Sequence, residues 1–144
     1  MSPTTVRSAM PASWLGGRFE ASNRTLALAA GDLVAIALFV AVGEVRHAGS
    51  LSSGLATLTQ FGVGWVVASL WVGAYAVGVR STPWRAVRLG ATAWILAALV
   101  GLVVRLLTTP ETAIPVTFIL TSIGFGALFV GGWRFVATRW LLAG

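Results

Sequence analysis

Four long apolar stretches, set off by short connections rich in helix breakers, dominate the chain: residues 25–43, 57–79, 87–107 and 114–136. Each is close to the roughly 20 residues that carry a helix across the hydrocarbon core of a bilayer. None has the ten-residue alternation of a barrel strand, so helices are the spanning elements expected. The connections at 44–56, 80–86 and 108–113 hold Gly, Ser, Thr and Pro. Ser81, Thr82 and Pro83 are expected to stop the second span. Pro110 and Pro115 bracket the start of the fourth, where a missing N–H costs nothing because the first turn leaves it unpaired. Residues 1–24 show no sustained period and read as a flexible cytoplasmic tail ahead of a four-transmembrane-helix domain over 25–140. A secretory signal is the rival reading, but the first apolar run starts only after Arg24, is longer than an ordinary signal core and contains an acid. The pattern therefore predicts an all-α integral membrane four-helix bundle.

Composition sharpens this. Of 144 residues, 57% are hydrophobic and only 10% charged, far from the soluble average. The ten basic residues are all arginine and lie mostly beside the apolar spans instead of lining one polar face, so the positive net charge reads as membrane topology and not as a nucleic-acid surface. Arg7, Arg18 and Arg24 precede span one, Arg80, Arg85 and Arg88 separate spans two and three, and Arg134 and Arg139 close span four. By the positive-inside rule these positions put both termini in the cytoplasm of a cell (inner or plasma) membrane, with two short external loops. Trp84, Trp133 and Trp140 fall at the same boundary, as an aromatic belt does. No cysteine and a single histidine exclude thiolate chemistry and bis-histidine haem within this chain, and no cofactor or metal is expected.

Asp32 sits inside span one, where an ionised carboxylate costs about 2.5–3.5 kcal/mol on insertion scales. At about 100° per residue Asp32, Phe39, Gly43 and Arg46 share one stripe with His47 beside it, so that stripe is expected to be the buried face. The acid is either a titratable site able to take a proton or a cation, or the partner of an arginine that fixes helix register, with Arg134 and Arg88 as candidates. A second polar level gathers Glu44, Arg46, His47, Gln60, Arg105 and Glu111 at the opposite boundary. It reads as an external ligand site or as ordinary helix-end polarity with snorkelling arginines. Arg105 follows the uncharged run 89–104 and needs Glu44 or Glu111 as partner if it lies in the apolar layer. Trp65, Trp71 and Trp94 lie deeper than the belt, and their indole N–H groups should seek Asp32 or a helix carbonyl. Gly62, Ser69, Gly73 and Ala76 on span two, and Thr117, Thr121, Gly124 and Gly131 on span four, form small stripes suited to close packing. Leu58, Thr59, Gly62, Gly64 and Trp71 recur as Leu120, Thr121, Gly124, Gly126 and Trp133 at one offset, the pattern a parallel repeat or biased composition produces.

The order and spacing of Asp32, Phe39, Gly43, Arg46 and His47, then Phe61, Gly64 and Trp65, then Trp94, Gly101 and Arg105, then Phe118 and Gly132-Trp133-Arg134 resemble a known family. It is the group of small prokaryotic membrane proteins catalogued as domain of unknown function 3054, and the resemblance covers about residues 25–136. Gln60 stands where that family's pattern has proline. The resemblance implies a four-helix membrane domain and supplies no reaction or catalytic residue.

Two functions fit these residues. One is a small transporter or channel subunit with Asp32 as coupling site and Arg105 and Arg134 as charge partners, working as a homo-oligomer because one chain encloses little volume. On that reading Asp32→Asn loses proton-linked flux and leaves folding intact. The other is a non-catalytic accessory or assembly subunit packed against another membrane protein. An enzyme is not expected: no Ser/His pair, acid cluster or His-Glu-x-x-His spacing is present, and Glu44 with His47 offers only two metal ligands. The partners expected are the lipid bilayer and a second membrane chain, with no nucleic acid.

Overall fold

A computed structural model of the chain describes residues 17–47, 49–109 and 113–143. The described residues contain four long helices, α1 (Asn23–Arg46), α2 (Leu51–Val72), α3 (Pro83–Thr108) and α4 (Val116–Val136), the last continuing through a π-turn at Ala137–Leu141. No strand occurs among them, only an isolated bridge between Phe19 and Tyr75. All four helices are long and apolar enough to cross a membrane.

Local chemistry sets the boundaries. The Ser22 hydroxyl accepts from Thr25 N–H to cap α1, and Ser50 and Ser53 exchange side-chain to backbone bonds across the first turn of α2. Thr82 caps α3 with Pro83 at its first position. Span two runs over 51–72 instead of 57–79, because Gly73 takes a left-handed conformation (φ 75°) and closes a Schellman motif through Gly73 N–H to Leu70 O and Ala74 N–H to Ser69 O. Its real start is the Ser50 cap, and its stop lies ten residues before Pro83. Residues 73–82, including a 3-10 turn at Val79–Ser81, form a connector that folds back over the bundle end. Of the expected tail, residues 1–16 lie outside the described residues, while Arg18 and Glu20 are bonded to Trp71 O and to Arg80 and Tyr75. Pro115 directly precedes α4; Pro110 lies outside the described residues.

The helices run up-down-up-down, with α3 packed on α2 and α4, and α1 completing the bundle against both. The buried face of α3 is nearly all small: Ala86, Gly90, Ala93, Ala97, Ala98 and Gly101. The thickness this saves is taken up by rings, Phe61 stacking on Trp94 at 5.4 Å and Phe39 meeting the same indole edge-on at 5.3 Å. Only 22–39% of the most apolar window of each helix is buried, so most leucines and valines point outward. A bundle in water would place them inside; this one is built for an apolar solvent.

The expected small stripe of α4 is displaced. Thr117, Thr121 and Gly124 are exposed, and of the stripe Gly131 alone joins the packed face of Ser122, Gly126, Val130 and Arg134. On α2, Ser69 and Gly73 are buried as the stripe requires, but Gly62 faces open space and Gly64 makes the close approach.

Candidate functional site

Asp32 lies about 14 Å along α1 from Asn23, at 1.5 Å per residue, on a face formed by Thr25, Leu28, Asp32, Ala35, Ile36 and Val40. This is the expected stripe with a slight drift: Phe39 and Gly43 stay half-buried and Arg46 and His47 have turned outward. Arg134, two turns from the end of the fourth span, reaches Asp32 as a fork, Nε donating to Oδ1 at 2.9 Å and Nη2 to Oδ2 at 2.7 Å. Its Nη1 donates to the Ala74 carbonyl at 3.0 Å. Tyr75 O–H donates to Asp32 Oδ2 at 2.7 Å and accepts from Trp65 Nε1 at 3.0 Å. The guanidinium also stands over the rings of Tyr75 (5.1 Å) and Trp65 (5.6 Å). Both charged side chains are 0% exposed, and no buried side-chain N or O among the described residues lacks a partner. Burial, reinforced by the Asp32 carboxylate, holds the Tyr75 phenol far above its ordinary pKa, so it stays a neutral donor.

Of the two arginines the sequence offers to Asp32, the fold uses Arg134; Arg88 is exposed. Room for it is made by Gly90 of α3, where any Cβ would occupy the position of Arg134 Cδ. Tyr75 is the residue that sequence reasoning passes over. It is the only tyrosine of the chain, set two residues after a glycine that can end a helix, and that pairing is the signal available. The indoles find the expected kinds of partner: Trp94 donates to Ser122 O at 2.9 Å, and Trp65 reaches Asp32 through Tyr75. Trp71, expected at depth, is 65% exposed. Trp133 leaves the belt, donating to Leu28 O and tying α4 to α1, whereas Trp84 and Trp140 stay exposed.

Tyr75 is itself held from outside the bundle. Glu20 N–H donates to Tyr75 O at 2.8 Å, and Phe19 meets its ring edge-on at 6.1 Å. Arg80 then anchors this segment through Glu20 Oε1 (3.1 Å) and Thr25 Oγ1 (2.7 Å). Tyr75→Phe removes one donor from the carboxylate and strands the Trp65 N–H. The expected loss is about 1–3 kcal/mol of stability, read as a lower midpoint of thermal unfolding in mild detergent.

At the other end of the bundle, no ion pair joins members of the second polar level among the described residues. Glu44 accepts from Ser53 Oγ (2.7 Å) and Thr57 Oγ1 (3.4 Å), Gln60 donates to Thr108 Oγ1 (3.3 Å), and the Arg105 guanidinium lies over Phe118 at 5.4 Å. Glu111 lies outside the described residues. Between α1, α2 and α4 at this end opens a cleft of about 330 Å³ with Phe39, Phe61, Phe118, Phe125 and Phe129 as walls and Glu44, Arg46 and His47 at its rim. No three His, Cys, Asp or Glu side chains among the described residues converge as metal ligands. The bundle is thus sealed by charge at the end where α1 begins and α4 finishes, and open at the end of the α1–α2 connection.

A family model described as a protein of unknown function (DUF3054) matches residues 29–137. No curated protein and no solved structure matches the chain.

Proposed function

Because the chain belongs to the DUF3054 family, whose description assigns no activity, its role rests on its own geometry, and we propose that it is a small, non-enzymatic, transporter-type membrane subunit. The observation that carries this is the one-sided opening: a cleft at one end and a completely satisfied Asp32–Arg134–Tyr75 seal at the other. In the orientation that the arginines favour, the cleft faces outward across the cell membrane and the seal closes the cytoplasmic end. Asp32 and Arg134 are then the residues whose separation would admit a bound molecule to the inside, and Glu44, Arg46 and His47 border the outer access, with Arg105 behind Phe118. A cleft of about 330 Å³ is small for a translocation path, so the working unit is a homo-oligomer or a pair with another membrane chain.

The chain has no cysteine, so single cysteines report access from each side. In sealed vesicles of known orientation, Thr121→Cys in the cleft should react with a membrane-impermeant maleimide added outside. Thr138→Cys, buried where its hydroxyl bonds to Arg134 O, should react slowly and only from inside, as the seal opens. Labelling of Thr121→Cys from the inside and not from the outside would sink the orientation.

The completeness of the seal favours a second reading, an accessory subunit in which Asp32 and Arg134 never part. It is preferred if Thr138→Cys stays unreactive from both sides and the complex extracted in mild detergent carries stoichiometric partner chains.

A further inference from the structure

Once the bonds around the cleft are assigned, a guanidinium and an imidazole at its mouth are left over. Glu44 turns its carboxylate onto the first turns of α2, where Ser53 and Thr57 donate to it and a helix N-terminus favours negative charge. Arg46 and His47 are exposed and have no side-chain hydrogen bond or ion pair among the described residues. Arg105 adds positive charge behind the Phe118 wall. Below the mouth the cleft is aromatic, and its edges run into the outward face of the bundle through Phe125 (55% exposed) and Val42 (49%).

We infer that the cleft holds an anionic phospholipid of the surrounding leaflet, with one acyl chain among the phenylalanines and its phosphate against Arg46 and His47. This rests on the reading of the cleft as the open, outward-facing end of the bundle and names what enters it. The cavity volume lies at the lower end for ligand pockets and suits a single chain. The fit to charge is specific: a cationic amphipath would meet Arg46 and find Glu44 already bonded, and phenylalanine, unlike tryptophan, is a weak cation–π partner. An anionic headgroup gains from each basic side chain at the interface.

The test is native mass spectrometry of protein taken from vesicles of equal phosphatidylglycerol and phosphatidylcholine. Phosphatidylglycerol should be retained about fivefold over phosphatidylcholine by the wild-type chain. The ratio should fall to near parity in Arg46→Gln/His47→Gln, and retention of both lipids should drop in Thr121→Trp, which fills the cleft. Equal retention by the wild-type chain, the behaviour of ordinary annular lipid, overturns the inference. So does an undiminished preference in the double variant or undiminished retention in Thr121→Trp. If Thr121→Cys is still labelled from the cleft side, the lipid alone is lost and the one-sided opening stands; if it is not, both fall.

Discussion

Asp32→Asn is expected to destabilise the bundle by about 3–5 kcal/mol, the cost of leaving a buried charge without its counter-ion. Each carboxylate oxygen accepts a bond from Arg134, and Oδ2 accepts a second from Tyr75. An amide in that place aims an N–H at a donor whichever way it is turned, and the guanidinium keeps its charge at 0% exposure. Arg134→Gln should cost a similar amount, since Asp32 then keeps only the Tyr75 bond. For a chain of this size such a loss lowers the unfolding midpoint by about 10 °C or more, measurable from the fraction surviving size exclusion after heating in mild detergent. The double variant Asp32→Leu/Arg134→Met should be markedly more stable than either single variant, because it removes both charges together. An Asp32→Asn protein that melts with the wild-type chain would refute the seal. The acid's place in the sequence predicts a variant that folds and merely loses coupling. The fork to Arg134 changes that expectation, and flux from Asp32→Asn is interpretable only beside its melting curve.

Much of this fold is legible in the chain because two signals are local. Apolar length finds the four helices, and the 3.6-residue period turns Asp32 inward whatever it meets there. The choice of Arg134 over Arg88 depends on where α4 crosses α1, a long-range fact that the stripe of α1 does not contain. The end of α2 is hidden for a different reason. Ala74 to Gly78 are as apolar as the span before them, so hydropathy runs on while the backbone turns at Gly73, and Tyr75 with its bond to Asp32 is hidden too. At the open end, the structure places Glu44 and His47 at the rim of the cleft and Arg105 over Phe118. The sequence cannot tell that Glu44 prefers the hydroxyls of Ser53 and Thr57, because their register is set by the cap of α2.

The seam between α2 and α3 separates two glycines that composition treats alike. Gly64→Leu is expected to cost the upper end of the roughly 1–3 kcal/mol typical of overpacking, or more, because a Cβ there would run into backbone: the Ala97 carbonyl, with Gly101 N at 3.2 Å. A flexible side chain could swing aside, but a helix backbone must move as a unit. Gly101, whose own Cβ would stand 3.1 Å from Phe61 Cδ1 and 3.3 Å from Gln60 O, leaves no slack from the other side. Separating the helices would also unstack Phe61, a wall of the cleft, from Trp94. Gly62→Leu is the control: nothing lies within 4 Å of a Cβ at that position, and replacing an interior helical glycine gains up to about 1 kcal/mol in propensity. Melting of the two variants in the same detergent decides the matter. Similar midpoints would mean that α2 and α3 do not meet at Gly64, and a less stable Gly62→Leu would put the packed face where the small-residue stripe first placed it.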